Sequence, residues 1–201
     1  EDFLDGSPSA LALGDNIFYG NNFYKDLNFV KEQNTCCVFG YRVSNPRDYG
    51  VVDFERVGDI YDSQIIVRGI EEKPEIPKTN YAVPGLYFYD STAVERTKQL
   101  EPSPRGELEI TDLNNSYIHD NKMKVKILRD SVAWFDTGSF EALFEAAMFV
   151  KSIQSRTGHM IGCIEEVSYR KGNISLDQLI LLANFQKETS YGQYLLNKYE
   201  K

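Results

Sequence analysis

The sequence predicts one α/β domain with a helical C-terminal addition. Short apolar runs typical of strands alternate with segments of helical periodicity, and no repeat or low-complexity tract interrupts them. Such alternation is the pattern of a sheet covered by helices. A length of 201 residues fits one domain with an appendage. We therefore assign residues 1–157 to the α/β domain and residues 158–201 to the helical extension.

The first half of the chain contains most of the predicted strands. Residues 10–13 form an apolar run that ends at the turn Gly14-Asp15-Asn16. A helix is predicted over residues 22–32, because its apolar side chains recur at helical spacing. Further strands are predicted at residues 35–43, 50–54, 65–70 and 81–89, each rich in β-branched or aromatic residues.

The second half is predicted to be mainly helical. Helices are expected at residues 92–100, 111–121 and 140–156, with one or two more within residues 175–201. Ser139 is the expected N-cap of the long helix over residues 140–156. Strands are predicted at residues 123–128 and at the Trp134-Phe135-Asp136 segment, which ends in a Thr137-Gly138 turn.

Composition excludes several classes of protein. The formal net charge of −8 argues against binding a nucleic-acid polymer through a broad basic face. No apolar run is long enough to cross a bilayer, so no membrane association is expected. The three cysteines form no zinc-type pairs and are expected to be buried in a reducing compartment, which predicts a cytoplasmic location.

Two aspartates follow predicted strands in short glycine-containing turns. Asp15 lies in Gly14-Asp15-Asn16, and Asp136 precedes Thr137-Gly138. Each turn alone is more typical of a structural cap than of a site. Together they suit Mg²⁺, which proteins usually hold with one or two carboxylates plus substrate phosphates.

A charged tetrapeptide, Glu71-Glu72-Lys73-Pro74, follows the strand predicted at residues 65–70. It combines hydroxyl acceptors with a phosphate-binding cation at a strand end, where α/β sheets bind ligands. A solvated surface ion pair is the alternative interpretation. Tyr49-Gly50 opens another strand, where the glycine either lets a ligand approach the backbone or marks a bulge.

Six segments in order resemble the glucose-1-phosphate thymidylyltransferase family, the dTDP-glucose pyrophosphorylases. They are Leu13–Gly20, Tyr49–Val52, Glu71–Pro74, Asn80–Tyr89, Pro104–Asp112 and Ala133–Gly138. The resemblance covers nearly the whole chain. It implies a Rossmann-like nucleotide-diphospho-sugar transferase fold with a mixed, mostly parallel sheet.

The resemblance also implies a reaction and roles for residues. A sugar 1-phosphate oxygen would attack the α-phosphorus of dTTP, giving dTDP-glucose and pyrophosphate for the dTDP-rhamnose pathway and cell-surface polysaccharide. Asp15 and Asp136 would hold Mg²⁺, and Lys73 would bind the sugar phosphate. The residues implied to bind or line the sugar pocket are Tyr49, Gly50, Glu72, Val83, Tyr87 and Trp134.

A regulatory nucleotide site at a subunit interface of a homotetramer is a further implication of the resemblance. Gly20, Glu166 and Arg170 match positions of that site, so the helical extension is expected to serve assembly or regulation.

The chain departs from the family pattern in two places. No glycine-rich triphosphate loop precedes Gly14-Asp15, so the chain is expected to lack the N-terminal third, to be inactive alone and to associate through an exposed sheet edge. The Glu55–Gly69 segment is longer than expected. Three alternatives stay open: a non-catalytic sugar-phosphate-binding fragment, a UTP-using uridylyltransferase, and an α/β domain whose acidic turns are only caps.

Overall fold

The computed structural model describes residues 1–20, 23–33, 36–57, 64–104 and 106–200. Within these residues the chain divides into two compact units, Glu1–Leu143 and Phe144–Lys201. The division falls inside a helix that the sequence-based boundary at 157/158 assigned whole to the first domain. Arg105 and much of the long segment noted between Glu55 and Gly69 lie outside the described residues.

The first unit is an α/β structure. Its strands are β1 (Ser9–Ala12), β2 (Asn16–Gly20), β3 (Cys36–Arg42), β4 (Gly50–Val57), β5 (Gln64–Glu72), β6 (Tyr81–Ala82), β7 (Leu86–Tyr89), β8 (Met123–Ile127) and β9 (Val132–Asp136). Its helices are α1 (Phe23–Gln33), α2 (Ala93–Lys98), α3 (Ile110–His119) and the start of α4 (Phe140–Thr157), and a short 3-10 helix spans Pro46–Asp48.

The larger sheet has the order β1-β7-β3-β6-β4-β5, with β8 also paired to β3. The β3–β8 pair is parallel. The other pairs described in this sheet are antiparallel. The α/β class and the mixed sheet are therefore confirmed, but the expected predominance of parallel pairing is wrong for the described residues.

Alternation along β3 buries both faces of the sheet. Cys36 and Val38 face a core cluster that includes Tyr117 of α3, whereas Cys37 and Phe39 face a second cluster that includes Val30 of α1. This is the period-two geometry of a strand. Helices consequently cover the sheet from two sides, as the alternating sequence pattern predicts. Cys36, Cys37 and Cys163 are all buried, as expected, and none of the three takes part in a disulfide among the described residues.

A predicted strand over residues 81–89 is interrupted at Val83-Pro84-Gly85. Residues 81–82 and 86–89 form β6 and β7, and the three residues between them leave the ladder. The Val83 amide still donates to the Gly50 carbonyl of β4, the partner strand of β6, at 2.8 Å. The Leu13 amide donates to the Gly85 carbonyl at 2.9 Å. The interruption therefore ties this loop to the end of β1 and the start of β4.

An antiparallel ribbon of β2 and β9 forms a second, two-stranded sheet. Its register places Asn16 opposite Asp136 and Gly20 opposite Val132. The sequence analysis did not predict β2, because Asn16 belongs to a turn motif and the partner strand is far along the chain. This ribbon sets the position of both predicted metal-binding aspartates.

The second unit is helical. It contains the rest of α4, α5 (Ile164–Arg170), α6 (Leu176–Phe185) and α7 (Ser190–Tyr199). A capping box between Ser175 and Gln178 begins α6. Cys163, Ala183 and Leu195 form the core cluster of this unit. The one or two helices predicted within residues 175–201 are thus α6 and α7, and α5 is an additional helix.

The start of α4 agrees with the sequence. The Ala142 amide donates to the Ser139 hydroxyl at 3.1 Å, which is the predicted N-cap contact. Across the described residues, no helix combines the length and the apolar character that crossing a bilayer requires.

Candidate functional site

The two predicted metal-binding aspartates lie side by side where β1 and β9 end. The Thr137 amide and hydroxyl both donate to the Asp15 carbonyl oxygen at 2.8 Å, which joins the two turns. A Cβ atom placed on Gly138 would lie 3.3 Å from Asp136 Oδ1 and 3.9 Å from Asp15 Oδ2. The two carboxylates therefore face one small space, and glycine at position 138 leaves that space open.

This aspartate pair, Asp15 and Asp136, fits a divalent cation with a high affinity for oxygen ligands. Magnesium is usually held by one or two carboxylates while substrate phosphates and water complete its coordination. Among the described residues no group of three or more histidine, cysteine, aspartate or glutamate side chains forms a closed protein site. The donor set thus suits a cation shared with a phosphorylated substrate better than a structural metal.

A second polar group lies where β4 begins and β5 ends. The strand register pairs Gly50 with Glu72. A Cβ on Gly50 would lie 3.3 Å from Glu72 Oε2 and 3.5 Å from the Thr111 hydroxyl oxygen, so glycine allows β4 to pack closely against this carboxylate. Thr111, at the start of α3, donates its hydroxyl to Glu72 Oε2 at 2.6 Å. This contact fixes one oxygen of Glu72.

Lys73 continues β5 with a strained backbone. Its φ of 45° lies in the left-handed region, which side chains other than glycine rarely adopt. Its amide donates to the Tyr49 carbonyl at 3.0 Å, which holds the turn against the start of β4. Its side chain is exposed, and in the described part of the chain its ammonium makes no hydrogen bond or ion pair. Strain of this kind concentrates at functional sites.

Trp134 connects the aspartate pair to the β4 side of the site. Its ring centroid lies 5.2 Å from that of Tyr49 and 5.5 Å from that of Tyr41. Its indole N–H donates to Asn16 Oδ1 at 2.7 Å. The side chain is buried, so it sets a fixed distance between Tyr49 and β9.

Tyr87 links the aspartate pair to the second polar group, which contains Glu72. Burial, with smaller contributions from the negative charges of Glu72, Asp136 and Asp15, raises the pKa of this phenol to about 12. Burial likewise raises the pKa of Tyr49, with smaller contributions from Asp136 and Asp48. One buried tyrosine is therefore in the field of all three carboxylates that the sequence analysis assigned to the site.

The structure thus brings together the residues predicted to bind metal and sugar. The Glu1–Leu143 unit contains all of them: Asp15, Tyr49, Gly50, Glu72, Lys73, Val83, Tyr87, Trp134 and Asp136. Their individual roles stay predictions. Sequence reasoning gave no role to Asn16, Thr111 or Thr137, which orient these groups. Each lies inside a motif that was noted, but only contacts between distant segments reveal what it does.

The residues predicted for a regulatory site have structural partners. Glu166 is buried, and its carboxylate accepts hydrogen bonds from Tyr194 at 2.5 Å and from Lys198 at 2.9 Å. Arg170 forms an ion pair with the same carboxylate. Burial raises the pKa of Glu166, but these hydrogen bonds and charges outweigh burial and hold it below its usual range. Glu166 therefore has a structural role within the second unit.

Gly20 belongs to the first unit and is explained by close backbone contact. A Cβ at this position would lie 2.5 Å from the Ser131 carbonyl oxygen and 2.9 Å from Val132 Cα. Only glycine fits there without a shift of β9. The regulatory role of Gly20, Glu166 and Arg170 stays a prediction.

Comparison with known proteins places this geometry in a family. Residues 1–153 match the Nucleotidyl transferase family. The chain belongs to that family. A glucose-1-phosphate thymidylyltransferase from Neisseria meningitidis is 45% identical over 202 aligned residues, covering 100% of this chain and 68% of that protein. The protein of the same name from Xanthomonas campestris is 45% identical over 96% of this chain and 64% of its own length.

A solved structure of a nucleotidyl transferase relative agrees with the fold. The Bacillus anthracis protein assigned as a glucose-1-phosphate thymidylyltransferase, crystallised in complex with a sucrose, has a TM-score of 0.59 and 33% identity. The match covers 74% of this chain and 56% of that one. The chain therefore spans about two thirds of the length of the two curated relatives, between 64% and 68%.

Proposed function

We propose that this chain provides the sugar-phosphate and metal-binding side of a glucose-1-phosphate thymidylyltransferase. The observation that supports the proposal most directly is that Asp15 and Asp136 face one small space beside Gly138, while Trp134 of the same strand as Asp136 packs against Tyr49 where β4 begins. Relatives that carry this name are 45% identical over almost the whole chain, which supports the choice of reaction class.

The proposed reaction transfers a thymidylyl group. An oxygen of the glucose 1-phosphate group attacks the α-phosphorus of dTTP and forms a new P–O bond. The bond from the α-phosphorus to the bridging oxygen of the β-phosphate breaks, and pyrophosphate leaves with the electron pair. Transfers of this type depend on positioning and charge neutralisation more than on covalent chemistry from the protein.

Asp15 and Asp136 would hold Mg²⁺ in the space beside Gly138. When bound there, magnesium supplies positive charge to the phosphate under attack. The contribution of the chain itself is rigidity, because Thr137 ties the two aspartate turns together through two hydrogen bonds. The carboxylates are consequently held at their separation before any ligand arrives.

Lys73 would bind the phosphate of glucose 1-phosphate. Its exposed ammonium is not engaged elsewhere in the described residues, and its strained backbone fixes where the side chain begins. A lysine ammonium offers three donors and a full positive charge, which reduces the repulsion between the attacking phosphate and the triphosphate.

Glu72 would accept hydroxyl groups of the sugar. Thr111 donates to Oε2, so Oε1 is left to the ligand. Gly50 lets β4 pass close to the Glu72 oxygen that Thr111 holds, since a Cβ there would stand 3.3 Å from Oε2 and 3.5 Å from the Thr111 hydroxyl oxygen. Val83 and Tyr87 complete the lining of the pocket.

The proposal also covers the oligomeric state of the protein and its cellular location. A homo-oligomer, a tetramer as in the family pattern, is proposed, with a regulatory nucleotide site that includes Gly20, Glu166 and Arg170. The proposed setting is cytoplasmic nucleotide-sugar synthesis. Light scattering on the purified chain, with and without dTTP, tests the assembly: a monomer in both conditions would contradict it.

Pyrophosphate release from dTTP and glucose 1-phosphate with Mg²⁺ tests the reaction, measured on the 201-residue chain and on the same chain extended by the part of the Neisseria meningitidis relative that lies outside the alignment; the site variants and controls are made in the active form. Lys73→Ala and Asp136→Asn should each reduce the rate by at least about 100-fold, as expected for groups that stabilise the transition state. Lys78→Ala and Asp53→Asn are matched controls, because these residues form an ion pair with each other at 2.9 Å. Both controls should keep the unmodified rate.

Other outcomes would replace the proposal. Release with UTP but not dTTP would favour a uridylyltransferase. Binding of glucose 1-phosphate without any release would favour a sugar-phosphate-binding fragment. Normal rates in both site variants would contradict the roles given to Lys73 and Asp136.

A further inference from the structure

Strand β5 is the last strand of the larger sheet and leads directly into the turn at Glu72 and Lys73. In the described part of the chain it pairs with β4, and the backbone of its other edge faces no strand. The side chain of Asn115, in α3, takes that place at Ile70. Its Oδ1 accepts from the Ile70 amide and its Nδ2 donates to the Ile70 carbonyl, both at 2.8 Å. One asparagine thus makes two backbone bonds of the kind that a neighbouring strand makes.

Two contacts from one face of α3 reach the end of β5. Thr111 donates to Glu72 Oε2, and Asn115, one helical turn later, binds Ile70, two residues earlier in the strand. Four residues of helix span about 6 Å, and two residues of strand span about 7 Å. Because these lengths match, a helix that runs beside the strand in the opposite direction holds it at both points.

Helix α3 is itself anchored away from β5. Leu113 and Tyr117 lie in the core cluster that also contains Ile70. The Tyr117 hydroxyl donates to Asp90 at 2.9 Å, and the guanidinium of Arg96 stacks 4.2 Å from the centre of the Tyr117 ring. Asn115 therefore connects the edge of β5 to a helix whose position is set by the core.

The course of β5 changes just before the contact with Asn115. The pairing of β4 with β5 shifts between Asp53 and Phe54, which makes Arg68 an extra residue in β5. Such a bulge bends a strand and interrupts its ladder. The two bonds at Ile70 are the first contacts from α3 beyond the bulge, so they set the direction in which the strand continues.

We propose that Asn115 is a positioning residue that fixes the course of β5 and so the placement of the turn at Glu72 and Lys73. The inference rests on the proposed function, which assigns that turn to the sugar phosphate. Asn115 touches no ligand in this scheme, and the aspartate pair lies at the ends of other strands. Loss of Asn115 should therefore weaken sugar-phosphate binding alone, whereas a general loss of structure would also weaken metal binding.

Amide hydrogen exchange, followed by nuclear magnetic resonance, tests the positioning without a ligand. The Ile70 amide reports the contact with Asn115, and the Lys73 amide, which donates to the Tyr49 carbonyl at 3.0 Å, reports whether the turn stays against β4. Asn115→Ala should speed exchange by about 10-fold at Ile70 and by about 3-fold or more at Lys73. Faster exchange confined to Ile70 would overturn the proposal, since Asn115 would then only cover the strand edge.

Binding to the purified chain tests the consequence for the site. Calorimetry measures the affinity for glucose 1-phosphate, and electron paramagnetic resonance measures the affinity for Mn²⁺. Asn115→Ala should weaken glucose 1-phosphate binding by about 3- to 10-fold and keep the Mn²⁺ affinity. An unchanged glucose 1-phosphate affinity, or equal losses of both affinities, would overturn the proposal.

Asn114→Ala is the matched control on the same helix. Asn114 is buried and accepts a hydrogen bond from the Tyr89 hydroxyl at 2.8 Å, so its loss costs stability without touching β5. This control should keep the exchange rate at Lys73 and the glucose 1-phosphate affinity. Comparable changes in Asn114→Ala and Asn115→Ala would overturn the positioning role, since general destabilisation would explain both.

A second variant keeps the test decisive if Asn115→Ala does not fold. Asn115→Asp retains an acceptor for the Ile70 amide but loses the donor to the Ile70 carbonyl, and it should also speed exchange at Lys73. An unchanged rate at Lys73 in that variant would reject the proposal. Failure of the unmodified chain to bind glucose 1-phosphate would instead contradict the proposed function, and exchange at Lys73 would still decide whether Asn115 positions the turn.

Discussion

Replacing Thr111 with valine tests whether Glu72 must be held in place to bind sugar. Thr111 is buried, and its hydroxyl donates to Glu72 Oε2 at 2.6 Å. Valine has nearly the same shape but no donor, so the carboxylate loses its fixed orientation while the packing around α3 is kept. Thr97→Val is the matched control, because Thr97 donates to the Ala93 carbonyl at 2.8 Å within α2.

The expected magnitude follows from the type of bond. A hydrogen bond to a charged group contributes about 1.5–3 kcal/mol, and the half-buried position of Glu72 favours the lower end. Since about 1.4 kcal/mol corresponds to a tenfold change in affinity, Thr111→Val should weaken glucose 1-phosphate binding by about 10-fold. It should also lower the free energy of unfolding by about 1–2 kcal/mol.

Calorimetry with glucose 1-phosphate and urea unfolding measure the two quantities. Thr97→Val should lower stability by about 1 kcal/mol and leave affinity unchanged. Full affinity in folded Thr111→Val would refute the argument that Thr111 orients Glu72. An equal loss of affinity in Thr97→Val would show that the effect is general destabilisation.

Three further predictions concern backbone strain at Lys73, close packing at Gly192 and the pH dependence of stability through Glu166. Glycine tolerates the left-handed backbone of Lys73, so Lys73→Gly should have an unfolding free energy up to about 1 kcal/mol higher than Lys73→Ala. Both variants should lose glucose 1-phosphate binding. A lower unfolding free energy in the glycine variant would contradict the strain at this position. The Cβ of an alanine at position 192 would lie 2.1 Å from the Gln186 carbonyl oxygen. Gly192→Ala should therefore lower the free energy of unfolding of the second unit, measured in urea, by about 1–3 kcal/mol or more. An unchanged free energy of unfolding would contradict that contact. Glu166 has a pKa below its usual range, so its stabilising contribution is complete above about pH 4.3 and is lost as pH falls further. Glu166→Gln should therefore show a smaller drop in melting temperature below that pH, and an identical drop would refute the assignment.

Several elements could be predicted because their signals are local. The helix α4 begins at Phe140 after the predicted cap Ser139, whose hydroxyl accepts from Ala142 as expected. Strand β3 and helix α1 follow from apolar periodicity alone. The division of residues 81–89 into two strands depends on tertiary pairing, because β6 and Val83 bond to β4, whereas β7 pairs with β1 and β3.

The strand β2 illustrates the same limit. Asn16 looks like part of a turn in the sequence, and its strand partner Asp136 lies more than a hundred residues away. Pairing across that distance depends on the burial of the whole sheet, which no short window of sequence contains. The mostly parallel sheet was an expectation from family resemblance, and the pairs of the described strands do not support it.

The sequence by itself determined which chemical groups this protein has and at which strand ends they occur. Strand patterns end beside Asp15, Asp136, Glu72 and Lys73, and the family resemblance of the motifs around them indicated their roles. Tertiary structure alone decided which strand ends meet, and so made Asn16 a contact between Asp15, Gly85 and Trp134. The physical reason is that hydrogen bonds between distant segments form only after the core has brought those segments together.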